Sequence, residues 1–242
     1  MRRRSTLRLS AEALDQGYAL ACQSVVEGNV SIFVPEQEKI ERQLTSDRIA
    51  AEVSAPIGYD INWSQTIRRY NVRINEPSMD DQSDDWSRLQ TTLRLQHGLE
   101  NVSCSLNLLR RLGPILRNAE WQVCVIANLR DLNNIEVIDI IPGFVDDDEP
   151  LYTVAIDIGT TTVSLWLVDL TSGKVKTQVA EYNGQIARGE DVISRIIYSS
   201  KGSGREELQK RVVDTINTLL ETASKRAKIQ PSEIVKATIA GN

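Results

Sequence analysis

Residue patterning predicts a multidomain chain of mixed α+β and α/β class, and three observations carry that expectation. Tyr152 to Leu170 contains two apolar, β-branched runs joined by a short link around Gly159, the pattern of a β-hairpin. Arg205 to Lys228 repeats apolar residues at helical spacing, with Leu208, Val212, Ile216, Leu219 and Ala223 on one stripe, and a strand pattern follows from Ile234 to Ala240. Between Trp86 and about Gly143, two helical patterns precede two strand patterns, the order of a small α+β unit.

Composition narrows the function classes. The chain has 242 residues, 41% of them hydrophobic and 25% charged, which suits one large globular domain or two to three small ones. A net charge of -5 argues against a general nucleic-acid binder. No apolar run approaches the ~20 residues of a membrane span. The arginine-rich start lacks the apolar segment of a signal peptide, so the expected location is cytoplasmic. Cys22, Cys104 and Cys124 are odd in number and widely spaced, so neither a disulfide framework nor a complete metal site is visible.

Taken in order, Ser10-Ala-Glu-Ala-Leu14 resembles a capped helical turn. Tyr18 to Val26 and Val30 to Val34 read as paired strands around Glu27-Gly-Asn29. Glu36 to Asp85 has weak signals. Its acidic end, Glu76 to Asp85, reads as a solvated linker, although Thr66 to Ile74 alternates like a strand. In the α+β unit, helices are expected from Trp86 and from Ser105, the second ending near Gly113-Pro114 with a further short turn after it. Strands are expected at Trp121–Asn128 and Ile135–Ile141. Val145 to Pro150 is acidic, ends in proline and marks a boundary. After the hairpin come a third strand, Val175 to Tyr182, a loop from Asn183 to Gly189, and a helix from Glu190 to Tyr198. That helix has residues 192, 193, 196 and 197 on one apolar face.

The chemistry concentrates at the hairpin tip. Asp157 ends the first apolar run, and Gly159, Thr160, Thr161 and Thr162 make the turn. Three hydroxyls and exposed N–H groups form a donor-rich cup suited to phosphate, and a neighbouring carboxylate suits hydrated Mg²⁺. A plain Thr-rich hairpin has the same composition, so both readings stand at this point.

Ile156-Asp-Ile-Gly-Thr-Thr-Thr162 resembles the first phosphate motif of the actin-like ATPase superfamily. The stretch Tyr182-Asn-Gly-Gln-Ile-Ala-Arg-Gly-Glu-Asp-Val-Ile-Ser-Arg-Ile196 resembles one found in ferredoxin-linked, ATP-dependent reductive activators of corrinoid proteins. Gly17 to Gln23 followed by Gly28 to Pro35 is similar to the end of a plant-type [2Fe-2S] ferredoxin domain. The resemblance implies four parts: a β-grasp ferredoxin remnant over 1–35, a linker over 36–85, an α+β middle domain over 86–145, and the first part of an actin-like, ribonuclease H-like ATPase domain over 151–242. It implies a chain truncated at both ends, because the other cluster cysteines and the later nucleotide motifs are not in it.

The function implied is ATP-driven delivery of one electron to a Co(II) corrinoid, regenerating Co(I). The implied partner is a corrinoid iron–sulfur protein or a corrinoid methyltransferase component, with a homodimer as a further expectation. Cys22 would be one [2Fe-2S] ligand, Asp157 would hold Mg²⁺ through water, and Gly159, Thr160, Thr161 and Thr162 would hold the phosphates of ATP. Glu190 and Asp191 are read as helix caps or metal-water ligands. Arg188 and Arg195 are read as ordinary salt-bridge residues or as groups facing phosphate or partner. The alternatives are a small-molecule kinase of the same superfamily and a non-catalytic interaction fragment.

Overall fold

A computed structural model describes residues 64–241, together with 2–3, 12, 15–19, 24–33, 58 and 60. The chain divides into two compact units, Met1–Arg42 and Gln43–Asn242. In the first, β1 (Arg2–Arg3) pairs antiparallel with β2 (Ser24–Val25). The expected pairing of Tyr18–Val26 with Val30–Val34 is not what forms: residues 26–33 carry no strand, and Ser24 and Val25 take Arg3 and Arg2 as partners instead. A pattern of alternation specifies a strand but not which edge it joins. Ser10 and Cys22 lie outside the described residues.

The second unit begins with a mixed four-stranded sheet in the order β3-β5-β6-β4. These strands are β3 (Ile67–Arg73), β4 (Val102–Cys104), β5 (Gln122–Asn128) and β6 (Ile135–Pro142). β3 therefore belongs to the α+β unit, although its position falls within the span read as linker. Two helices cover one face, α1 (Asp85–His97) and α2 (Leu106–Asn118). Leu89, Leu93, Leu108, Leu112 and Leu116 meet Val72, Val123, Val125 and Val137 in its core. Each such side chain contributes roughly 1.5–3 kcal/mol by leaving water.

One local expectation is corrected here. α2 does not stop at Gly113-Pro114 but runs through it. Pro114 removes one backbone donor, yet Leu108, Leu112 and Leu116 form a single buried stripe whose last member lies beyond the proline. Burial of that stripe outweighs the lost hydrogen bond. In the acidic stretch before α1, three carboxylates have specific partners. Asp84 caps α1 by accepting from the N–H groups of Trp86 and Ser87, both at 3.0 Å. Asp81 pairs with the buried Arg88, and Asp85 with Arg117 at 2.7 Å.

The second sheet has the order β10-β7-β8-β9. The strands β7 (Tyr152–Ile158), β8 (Thr162–Asp169) and β9 (Lys174–Tyr182) run antiparallel in succession, and β10 (Ile234–Gly241) joins β7 in parallel. Between β9 and β10 come α3 (Val192–Ser199) and α4 (Gly204–Ala227). A parallel return needs a crossover, and α4 supplies it. Leu219 and Ala223 of α4 pack on Val154, Ile156, Val163, Leu165, Leu167 and Val179.

The two sheets are held together by contacts through the acidic boundary segment. Asn71 both donates to the Val145 carbonyl at 2.8 Å and accepts from its N–H at 3.0 Å. Arg69 donates to the carbonyls of Asp147 and Glu149 and to the Thr171 hydroxyl. Ile67, Ile126 and Leu151 form a small apolar core beside this strap, which makes the boundary a packed joint.

Candidate functional site

The β7–β8 turn is built from Gly159, Thr160 and Thr161, with Thr162 starting β8. The Gly159 N–H closes it by donating to the Thr162 carbonyl at 2.9 Å. A Cβ at Gly159 would lie 2.8 Å from that same oxygen, so the turn closes this tightly only with glycine. The close approach that glycine permits is therefore within the turn itself.

All four carbonyl oxygens of Gly159–Thr162 accept hydrogen bonds from protein donors. Asn183 Nδ2 donates to the Gly159 oxygen at 2.9 Å, and the Asn183 backbone N–H donates to the Thr161 oxygen at 2.9 Å. Arg195 Nη2 donates to the Thr160 oxygen, and Gly159 serves Thr162 as above. By contrast, the N–H groups of Thr160 and Thr161 and the hydroxyls of Thr160, Thr161 and Thr162 have no partner among the described residues. The turn thus has its acceptors committed and its donors open. That polarity suits an anion.

The supports of this turn come from the next segment. Asn183 is 1% exposed and caps a short 3₁₀ turn, Gly184–Arg188, accepting from the Gln185 N–H at 3.0 Å. Thr215, buried on α4, accepts from the Gly184 N–H at 3.1 Å. Gln185 Nε2 reaches the Leu208 carbonyl at 3.0 Å. Asp191 caps α3, accepting from the Ser194 N–H at 2.7 Å, which holds its carboxyl below the usual carboxylate range. Glu190 lies outside the helix, which starts at Val192. The expected helix is shorter because Asp191, as cap, takes extended backbone geometry.

The two arginines differ. Arg188 makes a salt bridge to Glu207 at 2.7 Å. Glu207 also accepts from the Tyr198 hydroxyl and from Arg211 at 2.8 Å. Hydrogen bonds from Tyr198, Arg211 and Arg188 pull the Glu207 pKa down to about 2. Arg195 pairs with no carboxylate among the described residues. It donates to the carbonyls of Thr160 and Gly189 and to Gln185 Oε1. Burial pulls its pKa below the ordinary arginine value.

A cavity of about 240 Å³ lies on this side, lined by Gly159, Thr160, Asn183, Gln185, Arg195 and Leu208 among others. Thr161 and Asp157 are not in its wall. Asp157 is exposed, in register with Ser164 and Ala240. Ile156 and Ile158 flank it and pack against the α4 core, so alternation along β7 turns Asp157 to the opposite face of the sheet. Its carboxylate has no partner among the described residues. The structure brings Gly159 and Thr160 together with Arg195, and does not bring Asp157 to that cavity.

Sequence patterning did not single out the work of Asn183, Gln185 and Thr215. The available signal was the Asn-x-Gln spacing, because a buried asparagine satisfies several backbone groups at once.

Two family models match the chain, one described as the RACo linker region over residues 58–147 and one as the RACo middle region over residues 152–242. The chain belongs to the RACo family. The α+β unit falls in the family's linker region, and the hairpin with its cavity in the middle region. The chain is 39% identical over 109 residues to the corrinoid activation enzyme RamQ of Eubacterium limosum. That match covers 44% of this chain and 18% of RamQ. A solved structure described as a reductive activator for corrinoid, iron–sulfur protein matches all of this chain, with TM-score 0.65 and 34% identity. The chain spans 38% of that protein. The likeness supports the mixed α+β architecture with two four-stranded sheets.

No group of three or more His, Cys, Asp or Glu side chains among the described residues is arranged for a metal. Cys124 is buried and Cys104 half-buried, and burial raises the pKa of both thiols. The described residues do not supply a ligand set for a [2Fe-2S] cluster. No described helix is long and apolar enough to cross a membrane.

Proposed function

We propose that this chain is part of a reductive activator of a corrinoid protein and that its β7–β8 turn binds the phosphates of ATP. The observation that carries the phosphate reading is the open-donor turn at Gly159–Thr162: four committed carbonyls, and two N–H groups and three hydroxyls without a partner among the described residues. The antiparallel β7–β8–β9 order with a parallel β10 supports an actin-like nucleotide-binding reading of this sheet. Asp157, on the opposite face of the sheet from the cavity, would contact hydrated Mg²⁺ through water. Bound ATP would supply charge and binding energy that bias the conformation of a larger assembly. The contribution of these residues is to orient the phosphate oxygens and to hold the turn rigid through Asn183 and Arg195. Cys22 as a cluster ligand and a corrinoid iron–sulfur protein as the electron acceptor belong to the same proposal. They are supported by the ferredoxin-like motif and by what the relatives are described as activating.

The test is a titration of the ¹⁵N-labelled full chain with magnesium tripolyphosphate, followed by amide chemical shifts. Saturable shifts at Thr160 and Thr161, reproduced by Mg-ATP, are expected. Unmoved amides at both positions at millimolar ligand would refute the phosphate reading.

A further inference from the structure

We infer that Arg195 is the cationic contact of this cavity, donating to phosphate oxygens through the N–H groups that do not hold the turn. The inference rests on the phosphate reading above and adds a residue and a charge preference to it.

A guanidinium has five N–H donors. Arg195 uses three among the described residues: Nε to the Gly189 carbonyl at 2.9 Å, Nη1 to Gln185 Oε1 at 3.2 Å, and Nη2 to the Thr160 carbonyl. One N–H on each terminal nitrogen is left, and the side chain lines the cavity beside Gly159 and Thr160. Each of these acceptors is neutral. Arg88, Arg111, Arg117, Arg188 and Arg211, in contrast, each have a carboxylate within ion-pair distance. Asp191, whose charge does reach Arg195, has both oxygens engaged by Ser194.

A half-buried cation whose direct hydrogen bonds go only to neutral acceptors is costly unless an anion completes it. Arginine forms charge-assisted, often paired, bonds to phosphate oxygens. The Thr160 N–H, which has no partner among the described residues, belongs to the same residue as the carbonyl that Arg195 holds, and both residues line the cavity, so a single anion at the turn would be in reach of both donor types. Its position also couples the two elements: one side chain bridges the hairpin turn and α3, and anion binding would tighten that bridge. A preference for higher phosphate charge follows, because the guanidinium contributes through charge while the backbone donors contribute through dipoles.

The experiment compares wild type, Arg195→Lys and Arg195→Gln in the full chain, with inorganic phosphate and pyrophosphate as probes. Amide shifts at Thr160 and Thr161 and the Arg195 Nε–H signal are the readouts. In wild type, pyrophosphate should shift the Nε–H together with both amides. Arg195→Gln should weaken pyrophosphate by about tenfold or more and phosphate by less, and Arg195→Lys should recover part of the loss, as expected for a charge-assisted bond. Equal weakening of both probes, or no recovery by lysine, would assign Arg195 to shaping the turn and overturn the inference. An unchanged dissociation constant in Arg195→Gln, with Thr160 and Thr161 still shifting, would sink the arginine contact and leave the phosphate reading standing. No shift at Thr160 and Thr161 in wild type would remove both. Should the glutamine variant fail to fold, the wild-type Nε–H response and the lysine variant's affinity decide the matter.

Discussion

Replacing Asn183 with alanine should separate this turn from its support. The residue is 1% exposed and its side chain makes three hydrogen bonds: Nδ2 to the Gly159 carbonyl at 2.9 Å and to Gln185 Oε1 at 3.5 Å, and Oδ1 from the Gln185 N–H at 3.0 Å. Alanine leaves both backbone groups without their partner at a site closed to water. Loss of a buried hydrogen bond with an orphaned partner costs roughly 1–3 kcal/mol. Loss of an N-cap costs about 1 kcal/mol. Together they give about 3 kcal/mol, which for a chain of this size lowers Tm by roughly 6–12 °C. Urea unfolding followed by far-UV circular dichroism would measure it, with the slope m unchanged if the loss is in the native state. Asn183→Asp sharpens the test. It keeps the acceptor for Gln185 but sets a carboxylate against the Gly159 carbonyl, so it should be as destabilised as alanine at pH 7 and should bind tripolyphosphate more weakly. A change below about 0.5 kcal/mol in Asn183→Ala, the range of ordinary surface substitutions, would refute the view that this asparagine holds the turn.

Two further outcomes are expected. Pro114→Ala should stabilise the chain by about 1–3 kcal/mol, because an exposed interior helix position regains the N–H that can bond the Arg110 carbonyl; a lower urea midpoint would show that proline's ring contacts matter more. Glu207 has its pKa lowered to about 2, so its ionised form contributes stability that is fully present above the ordinary carboxylate range and is lost as pH falls toward 2. The stability gap between wild type and Glu207→Gln should therefore be constant above about pH 5 and close on acidification through that window. A gap that persists unchanged at pH 2 would place the effect in packing.

Much of the fold was legible because periodic burial leaves a periodic sequence. β7 and β8 alternate against α4, and Leu219 and Ala223 return at helical spacing to meet them. The Asp157–Thr162 motif was visible for a similar reason, since a turn this tight restricts residue type locally. Expectation failed where a distant element decides. Pro114 is a helix breaker by local rules, but Leu116 needs the same face as Leu112 and the helix continues. The acids before α1 look like a linker until Arg88 and Arg117 are brought to them. β4 is only three residues long, too short for a pattern, and exists because β6 offers it an edge.

The sequence by itself therefore determined the types of the longer helices and strands after residue 86 and the donor-rich composition of one turn, because each follows from propensity and spacing along the chain. The tertiary structure decided what that turn can do. Which donors stay open depends on which carbonyls are already held, and the holders, Asn183 and Arg195, lie more than twenty residues away on elements whose approach only packing sets.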